Sequence, residues 1–305
     1  MKREIIHPKD KEHWLALREP DITSTNMAAL YGLSPYLTKY EVYQAKKNGL
    51  QLPFEPNDRI EAGNDVEAYA AQKVAKDLGM EARPYKEYIR LPELRIGSSF
   101  DWLLADEIIL EIKAMDWRIH KALEEDCLPP HIEIQMQHQM LVSGLKKAIC
   151  AVWTGIYNYE LYEREADLEM HDAMREAAAQ FWRDVDAGNP PPIDPYRDGK
   201  ILELVYKDQK DEMIDLTGRE DVDALVARYK HHKAEEGINE KEAGAIKVRL
   251  HELLADKKGG FTDTYQISAG YNKDSQGTLV TADMVGTYIN QRRGYRRLDI
   301  KELKK

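Results

Sequence analysis

The chain has 305 residues, of which 43% are apolar and 32% charged, so it can bury a large core and does not have the composition of a disordered segment. A net charge of −10 argues against a general-purpose nucleic-acid binder while leaving room for a locally basic channel, and no apolar run approaches the roughly 18–20 residues of a membrane span. Two cysteines, Cys127 and Cys150, supply neither a disulfide framework nor a four-thiolate centre, and with no apolar leader at the N-terminus the expected location is the cytoplasm.

Residues 9–19 read as a helix ending before Pro20. Thr23, Ser24, Thr25 and Asn26 offer caps for a second helix through Met27 to Leu30, stopped by Gly32. Ser24 and Thr25 at such an N-terminus either cap it or seat a phosphate. Lys39 to Lys47 form a helix ended by Gly49, and residues 61–78 form a longer one closed by Gly79. Its apolar face carries Ala70, Ala71, Val74 and Leu78, and the spacing points Glu67 inward with the first three. A buried carboxylate needs a partner, which is either a salt bridge, a backbone donor, or a metal shared with other carboxylates.

Tyr85 to Leu91 predict a strand, followed by a hairpin over residues 96–114 with its turn at Ala105, Asp106 and Glu107. Alternation gives Ile108, Leu110 and Ile112 to one face of the second strand, and Ile109, Glu111 and Lys113 to the other. Closure of the hairpin brings Asp101 towards Glu111. Two carboxylates and a lysine at one sheet edge suit a hard divalent cation and phosphodiester attack.

Asp116 to Glu125 read as helix or loop, and Pro129 and Pro130 start a helix that runs to Gly144, with Gln135 and Gln139 on one face. Those glutamines either bond solvent and backbone, or Gln135 orients a water or holds the lysine. Lys147 to Thr154 and Tyr157 to Arg164 predict two strands, and Ala166 to Val185 a helix ending at Gly188. The proline-rich run from Asn189 to Pro195 breaks regular structure, which divides the chain into 1–190 and 191–305. The second part holds a helical pattern over 222–254, a strand within Gly259 to Tyr271, and a basic tail containing Arg292, Arg293, Arg296 and Arg297.

The order of Glu67 on a helix, Asp101 near a strand end, Glu111, Ile112 and Lys113, and then a glutamine-bearing helix resembles the PD-(D/E)XK nuclease superfamily. Within it the chain resembles the lambda-exonuclease-like, YqaJ-type phage recombinases over about residues 10–190. Trp14 and Arg18, with Ile22, Thr23, Ser24 and Thr25, resemble that family's W-x-x-x-R…I-T-A-S segment. Gly63 to Glu67 match its G-x-x-x-E helix, and Gln135 and Gln137 its Q-x-Q segment. Ser99, Phe100 and Asp101 stand where the family has S-P-D-G, with the aspartate kept.

The resemblance implies an α/β (α+β) fold in which helices flank a central mixed sheet. It implies a Mg²⁺-dependent 5′→3′ exonuclease acting on linear double-stranded DNA ends. The product is a 3′ overhang for phage or prophage recombination by strand annealing. Asp101 and Glu111 would be the principal ligands of two ions, which Mn²⁺ also supplies, with Glu67 and the Ile112 carbonyl completing the set. Lys113 would orient or deprotonate the attacking water, with support from Gln135. Arg18, Ser24 and Thr25 would receive the terminal 5′-phosphate. Family members form ring-shaped trimers and work with a single-strand annealing protein of the RecT or Red-beta type. Two other readings share the residues: a structure-specific endonuclease on the same fold, and a catalytically silent end-binding or assembly module. An iron–sulfur nuclease is disfavoured, because two cysteines cannot supply four thiolates.

Overall fold

A short strand, β1 (Glu4–Ile6), leads into α1 (Lys11–Arg18), whose first turn is capped by Asp10 accepting from the His13 amide at 2.7 Å. The second helix, α2 (Ser24–Leu30), starts after Thr23, whose amide and hydroxyl both donate to Asn26 Oδ1. A reciprocal capping box between Thr38 and Glu41 opens α3 (Lys39–Asn48), and α4 (Asp58–Leu78) follows. The chain then forms β2 (Ala82–Pro84), β3 (Tyr88–Leu91), β4 (Ile96–Ser98), β5 (Trp102–Leu104) and β6 (Ile108–Ala114). After α5 (Trp117–Lys121) come α6 (Pro130–Ser143), with proline in its first turn, β7 (Lys147–Trp153), β8 (Tyr159–Glu165), α7 (Leu168–Ala187) and α8 (Gly199–Val205). A separate antiparallel pair, β9 (Gly259–Phe261) and β10 (Gln266–Ser268), lies in the region where one terminal strand is expected.

This computed structural model describes residues 1–52, 58–121, 127–154 and 158–206, together with Gly218, Glu220, Asp221, Ala224, Glu235, 259–261 and 266–268. The chain divides into two compact units, Met1–Asp208 and Gln209–Lys305. The expected helical pattern over 222–254 and the basic tail lie outside the described residues, apart from Ala224 and Glu235. Among the described residues no helix is long and apolar enough to cross a membrane.

The central sheet is mixed, in the order β2-β5-β6-β7-β8, with only β6 and β7 parallel. A second antiparallel sheet has the order β1-β3-β4. The apolar run before the hairpin turn is therefore not one strand: β4 belongs to the small sheet and β5 to the large one. Residues 99–101 make the crossing. Phe100 anchors it by burying its ring in a stack on Tyr85, centroids 4.4 Å apart.

Helices cover both faces of the large sheet. On one face Ala70, Ala71 and Val74 of α4 pack against Trp102, Leu110 and Ile112. On the other, Ile109, Ala148, Cys150 and Val152 pack with α2, α6 and α7 through Met27, Met136 and Met174. Both faces of β6 are thus buried, including the one on which the sequence places Glu111 and Lys113.

Candidate active site

The hairpin turn sets the geometry. Ala105 and Asp106 occupy the left-handed region at φ +48° and +58°, and the Glu107 amide closes the turn on the Leu104 carbonyl at 3.0 Å. The resulting register pairs Trp102 with Leu110, which puts Asp101, one residue before β5, beside Glu111. Asp101 Oδ2 accepts from the Ile112 amide at 3.2 Å.

Glu111 is 1% exposed and its carboxylate is held by three donors. Lys113 Nζ and Gln135 Nε2 donate to Oε1 at 2.5 and 2.6 Å, and Gln139 Nε2 donates to Oε2 at 2.7 Å. Such charge-assisted bonds allow a carboxylate to stay ionised out of water. Gln135 and Gln139 reach it together because residues four apart on α6 share a face. Gln137, two residues from either, points elsewhere: it donates to the Glu165 carbonyl and accepts from the Asp167 amide, both at 2.9 Å. The glutamine pair at the site is therefore 135 and 139, of which the sequence alone singles out only Gln135.

The charges are strongly coupled. Burial raises the Asp101 carboxyl well above the usual carboxylate range, and Glu111 and Glu67 add to the effect while Lys113 opposes it. Burial alone would lower the Lys113 ammonium, but Glu111 and Asp101 outweigh it and hold it above its ordinary value. Glu67 arrives from the α4 layer, half-buried, and accepts from Trp102 Nε1 at 3.2 Å. Its partner is an indole N–H, neither the ion pair nor the backbone donor anticipated for it. Cys150 is the register partner of Glu111 on β7, and burial, reinforced by Glu111, pushes its thiol up.

Among the described residues no three His, Cys, Asp or Glu side chains converge as a ready metal cage. The donors at this end of the sheet are nevertheless the right kind for a hard divalent cation. They are the carboxylate oxygens of Asp101, just before β5, and of Glu111 on β6, which repel one another, with those of Glu67 on α4.

The N-terminal segment is tied to the same loop. Trp14 Nε1 donates to Ser99 Oγ at 2.7 Å, Gln139 Nε2 lies 3.5 Å from the Ser99 carbonyl, and the Arg18 guanidinium stacks over the Trp14 ring at 4.2 Å. Lys46 Nζ holds the end of α1 by donating to the Arg18 and Glu19 carbonyls, both at 3.0 Å. Ser24 is buried and Thr25 exposed in the first turn of α2. The chain between α1 and α2 docks through Asp21, fully buried, which accepts from Tyr88 Oη at 2.9 Å and Arg90 Nη2 at 2.8 Å. A Cβ at Gly97 would stand 2.1 Å from Tyr88 Oη and 2.8 Å from Asp21 Oδ2, so this contact needs glycine.

Comparison with known proteins places this arrangement. Residues 13–146 match the YqaJ-like viral recombinase domain. The uncharacterized protein YqaJ of Bacillus subtilis (strain 168) is 25% identical over 265 residues, covering 84% of this chain and 82% of that one. Among solved structures, the alkaline exonuclease LHK-Exo from Laribacter hongkongensis superposes with a TM-score of 0.50 at 20% identity, over 64% of this chain and all of that one. LHK-Exo in complex with dAMP gives a TM-score of 0.51 at the same identity and coverage. The likeness is one of fold: a mixed sheet flanked by helices. The matched stretch, residues 13–146, carries the whole carboxylate, lysine and glutamine cluster, and is similar to the YqaJ-like viral recombinase domain.

Proposed function

We propose that this protein is a metal-dependent nuclease that degrades linear double-stranded DNA from its 5′ end. The observation that carries the reading is the convergence of Asp101, Glu111 and Lys113 at one end of the sheet, with Gln135 and Gln139 fixing Glu111. The family match and the likeness to an alkaline exonuclease support it.

In this reading Asp101 and Glu111 would be the principal ligands of Mg²⁺ or Mn²⁺, and Glu67 and the Ile112 carbonyl would supply further oxygens for a second ion. When bound, the ions supply an activated water and charge neutralisation at the attacking and leaving oxygens. Lys113, which donates to Glu111 Oε1 at 2.5 Å, would orient or help deprotonate the attacking water and stabilise the scissile phosphate as negative charge builds. Gln139 keeps Ser99, and with it the Asp101 loop, against Glu111. Arg18, stiffened by Trp14 and Lys46, is the cation we assign to the terminal 5′-phosphate, with Ser24 and Thr25 alongside.

The proposal extends to 3′ overhangs made for strand annealing, to a ring-shaped trimer, and to a single-strand annealing partner. Linear, nicked-circular and closed-circular duplexes incubated with Mg²⁺ test its core. Mononucleotide release confined to DNA with ends is the expected result. Cutting of closed circles would make the protein an endonuclease, and no cleavage of any form would leave only an end-binding role.

A further inference from the structure

The face of α6 that brings Gln139 and Gln135 to Glu111 continues one turn back to His131, about 6 Å along the helix axis. Tyr36 packs edge-on against the His131 ring, centroids 5.7 Å apart. Beyond it opens a cleft of about 420 Å³, lined by Tyr36, Tyr196, Arg197, Lys200 and two prolines. The catalytic cluster and this cleft are thus consecutive along one helix face and its neighbour, within a few stacked nucleotides at about 3.4 Å each.

The tyrosines in the cleft do little for the fold. Tyr36 is 72% exposed and Tyr196 96% exposed, so neither ring repays its ordering by burial. The backbone that carries them is firmly held. Asp198 is fully buried and accepts from Thr38 Oγ1 and from the Asp194 amide, both at 2.6 Å. Arg197 Nη2 donates to the Ser34 carbonyl at 3.0 Å, tying the two lips together with its remaining donors to spare. Glu41 also lines the cleft, but its Oε2 is turned to cap the Thr38 amide at 2.7 Å. Exposed aromatic rings on a rigid base, with an arginine and a lysine between them, are the recognition chemistry of a single nucleic-acid strand. Every base has a face to stack, and the phosphates need only point charges.

We propose that this cleft holds single-stranded DNA leaving or approaching the catalytic end of the sheet, with bases stacked on Tyr36 and Tyr196 and phosphates against Arg197 and Lys200. The inference deepens the nuclease reading and rests on it for the identity of the strand.

Its test separates the two. Binding of a fluorescein-labelled oligothymidylate to the full-length protein is measured by anisotropy in EDTA at fixed salt, where no cleavage intervenes. The double variant Tyr36→Ala/Tyr196→Ala should bind at least about 10-fold more weakly than wild type, with an unchanged melting temperature. Tyr36→Phe/Tyr196→Phe, which keeps the rings, should stay within about twofold of wild type. Lys200→Glu should flatten the salt dependence by about one ion. Equal affinity of the alanine variant and wild type overturns the proposal, and is also what a cleft serving a protein partner would give. Equal loss in the phenylalanine and alanine variants, or no binding by wild type, overturns it too. Strand binding with the expected pattern by a protein that cuts nothing in Mg²⁺ would remove the nuclease reading and leave the cleft.

Discussion

Glu111 is where the chemistry of the fold concentrates, because a carboxylate at 1% exposure survives only through Lys113, Gln135 and Gln139. Replacing Gln139 by alanine leaves Oε2 without its donor and loosens Ser99. The expected result is a loss of about 1–3 kcal/mol in stability together with a marked fall in cleavage rate. Denaturant melts and initial rates on one preparation check both. Lys113→Ala is expected to lower the rate by about 10²–10³-fold, the scale of losing one preorganised charge at a transition state, with little change in DNA binding. Much of this was readable beforehand: alternation along β6 and closure of the hairpin are enough to put Asp101, Glu111 and Lys113 at one sheet end. Gln139 was harder to assign. Its i+4 relation to Gln135 was visible, but a shared helix face does not say which strand lies under it. Glu67 was likewise placed on an inward face, while its indole partner depended on a strand partner that local sequence cannot supply.

At the scale of elements, the device that aims Asp101 is the turn from Leu104 to Glu107, made with two non-glycine residues in the left-handed region. Alanine is a poor fit there, so Ala105→Gly is expected to stabilise the protein by about 1 kcal/mol without altering cleavage, measurable as a shift in melting temperature. Gly97 is the opposite case. Gly97→Ala drives a methyl into Tyr88 and Asp21 and should cost about 1–3 kcal/mol, loosening the segment that carries Arg18. The long helices and the strands of six or more residues were legible because their periodicity repeats. The three-residue strands β1 and β2 have no repeat to read, and each exists only because a neighbouring strand offers its edge. The division of the apolar run before the turn into β4 and β5 was hidden for a similar reason. Ser99 and Phe100 are ordinary strand formers by neighbourhood, and it is the contacts of Trp14 with Ser99 and Tyr85 with Phe100 that carry the chain from one sheet to the other.

For the whole molecule, the cores on the two faces of the sheet respond differently to acid, because the α6 side encloses His138 with no exposed surface. Burial pushes this imidazole down to about 3, a backbone contact with Ile22 offsetting it only in part. The unfolded chain binds the proton near pH 6.5. Stability from the neutral ring is therefore complete above that pH and is lost as pH falls towards 3, at about 1.4 kcal/mol per unit for one proton. Melting temperatures of His138→Gln are expected to be lower at neutral pH and to fall less steeply between pH 6.5 and 5 than those of wild type. The same buried layer holds α6, and with it Gln135 and Gln139, over the carboxylates at one end of the sheet. The most direct test is mononucleotide release from a 5′-phosphorylated linear duplex in Mg²⁺, by wild type and by Asp101→Ala, with circular dichroism confirming that the variant is folded. Wild type is expected to release nucleotides from the 5′ strand and the variant none, and an equally active Asp101→Ala protein would rule out Asp101 as a metal ligand.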